Sequence, residues 1–203
     1  MAIFKIKESK EDKEYFDKNI IKIPKNGTIV SEFMKIEGSL TSNDSIVISG
    51  QIKGDIKCEE IVVILKKGSV KGKIEAKECR LDGKLEGNIE AFLVELSSGS
   101  EHKGNIFANS ALIDGKLDGD ILAKESLEIG KNGHIKTKIC KAETIMTEGV
   151  IEGLIVASKL LDVKKGAKIK GEVLAKELNS DLGSQIEGNI KVYKLNKKLK
   201  EFL

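Results

Sequence analysis

One short alternation returns ten times along the chain. Gly50-Gln-Ile52-Lys-Gly54-Asp-Ile56 is echoed by Gly83-Lys-Leu85-Glu-Gly87-Asn-Ile89 and by Gly115-Lys-Leu117-Asp-Gly119-Asp-Ile121. Its central position falls at residues 38, 54, 72, 87, 104, 119, 137, 153, 171 and 188, at spacings of 15 to 18 residues. The order is apolar, charged, Gly, polar, apolar, any, small, with Cys58, Ala76, Ala91, Ala108, Ala123, Ala157 and Ala175 in the small place. A second alternation follows, as in Cys79-Arg-Leu81 and Leu127-Glu-Ile129. A period of two is the signature of a half-buried strand rather than a helix. No single copy can bury its own apolar side, so copies must stack on one another. Units holding two or three short strands, with glycine at the corners, predict a parallel β-helix. About ten coils at about 4.8 Å each would make a rod on the order of 48 Å long. Hairpin folds do not fit, because Asn-Gly and Asp-Gly pairs recur at no hairpin period.

The charge just before the central position supports the stack. In order it is Glu37, Lys53, Lys71, Glu86, Lys103, Asp118, Lys136, Glu152, Lys170 and Glu187, alternating in sign without a break from Lys71 onward. In-register parallel coils bring such residues side by side, where unlike charges attract and like charges repel. The chain of 203 residues is 40% hydrophobic with aliphatics spread throughout, which predicts one ordered array and excludes disorder. Lys194, Lys197, Lys198 and Lys200, faced only by Glu201, supply the whole net charge of +3. A balanced body with Arg80 as its single arginine argues against nucleic acid as a partner. Cys58, Cys79 and Cys140 lack metal-ligand spacing and read as buried reduced thiols. The opening residues lack the pattern of a secretory signal, and no apolar run is long enough to span a membrane, so a cytoplasmic location is expected.

The segment Thr28-Ile-Val-Ser-Glu-Phe-Met-Lys-Ile-Glu-Gly38-Ser-Leu40, leading into Ile48-Ser-Gly50-Gln-Ile52-Lys-Gly54-Asp-Ile56, resembles the start of a bactofilin domain. The recurring G-x-[IL]-x-G-[DN]-[IV]-x-A pattern resembles that family across residues 28–192. The resemblance implies a single-stranded right-handed β-helix that polymerises end to end, without nucleotide, into bacterial cytoskeletal filaments. It also implies a peripheral place on the inner face of the cytoplasmic membrane and a role in positioning cell-wall or shape-determining proteins. The sequence departs from the family in its tails, which are rich in lysine with Pro24 as the sole proline. Thr137 replaces the central glycine and Lys141 stands where alanine is expected, which predicts an irregular coil there. The predicted organisation is an N-terminal tail over 1–27, the β-helix over 28–192 and a basic amphipathic tail over 193–203. Ser9-Lys-Glu-Asp12 has the form of a capping box and predicts a short helix over 10–20.

Phosphate-binding glycine motifs are absent and no carboxylate pair stands out, so no catalytic, cofactor-binding or metal residues are assigned and the chain is read as not an enzyme. His102 falls at an inward position and is expected to be a neutral core histidine with one hydrogen-bond partner. The apolar ends of the rod are the expected polymer interface, with Phe33, Ile36 and Leu40 at one end and Ile186, Ile190 and Val192 at the other. Three residues past the central position the side chain should face outward. That count gives Phe107, Leu122, Cys140, Val156 and Leu174, an apolar stripe for the C-terminal tail or for a partner. Ile3, Phe4 and Ile6, with Leu195, Leu199 and Phe202 in the basic tail, are candidate membrane contacts. The function expected is therefore a self-assembling scaffold with itself as first partner and no cofactor. Two rival readings are a left-handed hexapeptide-type trimeric enzyme (acyltransferase or carbonic-anhydrase-like) and a monomeric β-helix binding module with capped ends.

Overall fold

The computed structural model describes residues 27–193, and the strands within them form one parallel 19-stranded sheet with no helix. The sheet winds round a central bore in three faces. In an early coil Gln51–Lys53 lies on face A, Ile56–Cys58 on face B and Ile61–Ile64 on face C. One coil later faces B and C merge into the bent strand Ile74–Leu81, and farther on His134–Thr147 runs through all three. The chain is an all-β parallel β-helix of about ten coils.

Inward positions fill the bore. Ile52, Ile56, Val62 and Ile64 sit beneath Val70, Ile74, Cys79 and Leu81, each no more than 2% exposed. Burying a side chain of this size stabilises by about 1.5–3 kcal/mol, but only when the neighbouring coil closes over it. Alternation along each strand sets the inward face, and columns of like residues set the stacking.

The corner between faces A and B explains the repeat's glycine. Gly104 and Gly119 have φ of +135° and +156°, and a Cβ on Gly119 would come closer than 3.0 Å to the carbonyl oxygen of Gly104 one coil before. An L side chain meets both objections at once. The Asp or Asn that follows forms a ladder of its own. Asn88 Oδ1 accepts the N–H of Asn105 at 2.9 Å, and Asn105 Oδ1 accepts the N–H of Asp120 at 3.0 Å. Each satisfies a corner N–H that the strand ladder misses.

The corner between faces C and A alternates between two forms. Wide turns over 65–68, 97–100 and 130–133 alternate with tight corners at Asp82-Gly83, Asp114-Gly115 and Glu148-Gly149. A Cβ on Gly83 would strike the carbonyl oxygens of Gly68 and Leu65, because the tight corner tucks beneath the wide turn of the coil before. The uneven spacing of the repeat follows from this packing, and the structural unit is two coils.

All ten members of the predicted charge column stack in register, from Glu37 against Lys53 to Lys170 against Glu187. Lys71 and Glu86 close to 2.9 Å, as do Lys84 and Glu101 in the adjoining column. These lysines hold the Glu86 and Glu101 carboxyls below the usual carboxylate range. Exposed pairs of this kind add little stability and act chiefly on register.

Two expectations need correction. The coil containing Thr137 is irregular, but through an added residue: pairing shifts between Lys136 and Ile139, and Ala142 rather than Lys141 aligns with Ala157. Asp120 Oδ1 secures the irregularity by accepting the N–H groups of Lys138 and Ile139 at 2.9 and 3.1 Å and the Thr137 hydroxyl at 3.1 Å. Burial pushes the Asp120 carboxyl up, but these donors and the Lys138 charge outweigh it and hold it below its ordinary value. His102 does point inward, 2% exposed between Leu85 and Leu117, yet neither ring nitrogen has a hydrogen-bond partner. Its column is aliphatic, so the expected partner is missing.

Candidate assembly ends and the outer groove

At the N-terminal end Thr28–Val30, Lys35–Glu37 and Leu40–Ser42 each pair with a following strand only, among the described residues. Ile36 and Leu40 align with inward Ile52 and Ile56 and are half-buried, so they head the inward columns at the mouth of the described bore. Phe33 lies instead in the turn beside the mouth, 94% exposed. At the other end Gln185–Val192 pairs, among the described residues, only with the strand before it, with Ile186 half-buried, Ile190 45% exposed and Val192 58% exposed. Tyr193 N–H still reaches the Ala175 carbonyl at 3.1 Å. The sequence reading missed Leu182, which stands 95% exposed in the last turn between faces C and A. Its signal was a wide turn at 181–184 directly after another at 164–167, which breaks the alternation of corners.

The five residues expected in the outer stripe do not form one exposed surface. Phe107 and Leu122 face outward on face B, and Phe92, which the sequence reading overlooked, stands beside them even more exposed. Cys140 does not join them. It is fully buried against Ile121 and Ile155, and burial pushes its thiol up to about 12. The added residue near Thr137 turns Cys140 inward and brings Lys141 to the outer position between Leu122 and Val156. Counting three from the central position fails in that one coil. Val156 is largely shielded and Leu174 half-buried. What remains is an open groove of about 1140 Å³ with an alanine floor at Ala91, Ala108 and Ala123. Glu75 and Glu90 line one end of it and Lys124, Lys159 and Lys176 the other.

Cys58 and Cys79 are buried free thiols as well, and desolvation raises both, Cys79 to about 12. Among the described residues no cluster of three His, Cys, Asp or Glu side chains could hold a metal ion, and no helix is long and apolar enough to cross a membrane. Ile3, Phe4, Ile6, Leu195, Leu199 and Phe202, and the helix expected over 10–20, lie outside the described residues.

A parallel β-solenoid with an apolar bore and, among the described residues, singly paired strands at both ends defines the architecture as a stacked rod. Comparison with known proteins narrows this class. The family described as "Bactofilin: Polymer-forming cytoskeletal" matches over residues 28–112 and again over 96–191, and the chain belongs to it. The two matches overlap and the sheet runs through the overlap, so they mark one continuous array. The chain is also similar to Bactofilin BacO of Myxococcus xanthus (strain DK1622), 30% identical over 64 residues, or 32% of this chain and 51% of that protein. The similarity thus spans about half the length of that relative. No solved structure matches the chain.

Proposed function

We propose that this polymer-forming cytoskeletal protein assembles by stacking its open β-helix ends on those of other copies, without nucleotide, into filaments that serve as a scaffold. The observation that carries the reading is the pair of open ends. Among the described residues, Ile36 and Leu40 at one mouth, and Ile186, Ile190 and Val192 at the other, leave apolar surface and one strand edge unpaired, and a second copy would cover both. The exposed Phe33 and Leu182 lie at the same corner of the coil at opposite ends, ready to widen either contact. Catalysis has no part in this reading.

Recruitment belongs to the flank and the tails. The groove at Phe92, Phe107 and Leu122 is suited to cell-wall or shape-determining proteins, while Ile3, Phe4, Ile6, Leu195, Leu199 and Phe202, flanked by lysines, suit the inner face of the cytoplasmic membrane. A polymer multiplies weak membrane contacts through avidity. The test is electron microscopy and sedimentation of the full chain without nucleotide or metal. Thin filaments are expected from the native protein, and dispersed rods from Ile36→Glu and Ile190→Glu. A uniform trimer or monomer from the native chain would overturn the proposal. Co-sedimentation with anionic vesicles, lost in Phe4→Glu and Phe202→Glu, checks the membrane contact separately.

A further inference from the structure

Face B carries a knob and a hole on one surface. Phe92 projects from it, 65% exposed, while Phe107 and Leu122 beside it are 38% and 36% exposed. The groove floor in these three coils is alanine, at Ala91, Ala108 and Ala123, which leaves room above it for a large side chain. Two outward columns border the floor. One runs Glu75, Glu90, Phe107, Leu122 and Lys141 in register. The other holds the residues that follow the floor alanines, Lys77, Phe92, Asn109, Lys124 and Glu143.

We infer that this groove binds the same groove of a second copy, with the two rods side by side and antiparallel. About a two-fold axis through the coil of Phe107, each coil before it meets the coil equally far after it. Phe107 then lies on Phe107 of the second copy. Phe92 enters above Ala123 beside Lys124, where ring and ammonium attract. One coil farther out Glu75 meets Lys141 and Lys77 meets Glu143, so both columns find opposite charge. Parallel rods would exchange the columns and set Glu90 against Phe92 and Phe107 against Asn109, aromatic against polar. Glu75, Lys77 and Glu143 also hold partners in their own chain, at Lys57, Glu60 and Lys159. Exposed pairs are weak, so charge sets the direction and the apolar contact supplies affinity. The contact from Glu75 to Lys141 covers about 20 Å of rod. That is short of the about 1,000 Å² that holds two single rods stably. Rods joined end to end would repeat it along their length and multiply it, so its strength rests on the stacking proposed above while its geometry does not. Pairing and recruitment of other proteins then compete for one surface.

Cysteine crosslinking with copper–phenanthroline tests this on the full chain carrying Ile190→Glu to keep it dispersed, and it captures weak contacts. The native thiols Cys58, Cys79 and Cys140 are buried, so the parent should not crosslink. Asn109→Cys places a thiol at the two-fold axis and should form a disulfide dimer about tenfold faster than Ser98→Cys, a more exposed site on a wide turn. Adding Phe92→Glu should bring Asn109→Cys down to the Ser98→Cys rate, and the milder Phe92→Ala should do so in part, with circular dichroism unchanged in both. Lys77→Cys mixed with Glu143→Cys should give a mixed dimer. Equal rates at the two single sites, or no effect of Phe92→Glu, would overturn the pairing. A dimer from Glu75→Cys mixed with Lys77→Cys instead would overturn the antiparallel arrangement. Slow labelling of Asn109→Cys by a small thiol reagent in rods that stay monomeric would also overturn it and give the groove to a segment of the chain itself. Copies stacked end to end meet at Ile36 and Ile190, far from Asn109, so failure of the pairing and failure of stacking remain distinct.

Discussion

His102 occupies a place that its column neighbours Leu85 and Leu117 fill with hydrocarbon. Burial lowers its pKa from 6.5 to about 4, against the pull of nearby backbone groups at Leu85, Gly104 and Asn105. The unfolded chain therefore binds a proton that the folded chain rejects. Stability from this residue is complete above pH 6.5 and is lost as the pH falls toward 4, by up to about 3 kcal/mol. His102→Leu should remove that slope and raise stability at neutral pH, as urea titrations at several pH values would show. Glu86 and Glu101, with lowered pKa values, lose their contribution at more acid pH, so the two windows separate. Gly119→Ala should cost about 2–3 kcal/mol through strain at positive φ and the approach of Gly104. Thermal unfolding measures it.

Among the elements, the strand His134–Thr147 shows how the array tolerates an error. Thr137 cannot copy the glycine corner, so the chain adds a residue and the Asp120 carboxylate gathers the displaced donors. Asp120→Ala removes an acceptor shared by three groups and should destabilise by about 2 kcal/mol. Asp120→Asn keeps an oxygen in place and should cost less. Hydrogen exchange should rise at residues 137–142 in the alanine variant and leave the coils around Ile52 untouched. If exchange rises evenly along the rod, the carboxylate is not a local clamp. The shift also decides chemistry on the outside, since it turns Cys140 inward and puts Lys141 into the apolar stripe.

Across the whole molecule the two-coil period governs what can be removed. Deleting residues 88–119 joins Gly87 to Asp120, keeps a wide turn next to each tight corner, and sets Glu86 beside Lys136. Deleting residues 88–104 alone sets the tight corners at Gly83 and Gly115 together and places Glu86 against Asp118. The longer deletion should unfold cooperatively with the higher melting temperature, although it loses more core. The reverse order would mean that the single coil is the unit.

Strand period, parallel stacking, the inward columns and the charge register were legible in the residues from Glu37 to Glu187, because each depends on the repeat alone. That the first and last described coils pair on one side only followed from the same logic. What lay beyond the sequence reading arises from contacts between coils that are not equivalent. Phe92 is apolar at a place where other coils carry Lys77, Asn109 and Lys124, so no column marked it. Cys140 moved to the core because one coil gained a residue, a change invisible until its strand was aligned with those on either side. The sequence by itself determined a stacked rod, since periodicity specifies which side chains face inward and how copies align. Only the tertiary structure decided which outer surfaces stay open, because that depends on register shifts and on packing across coils.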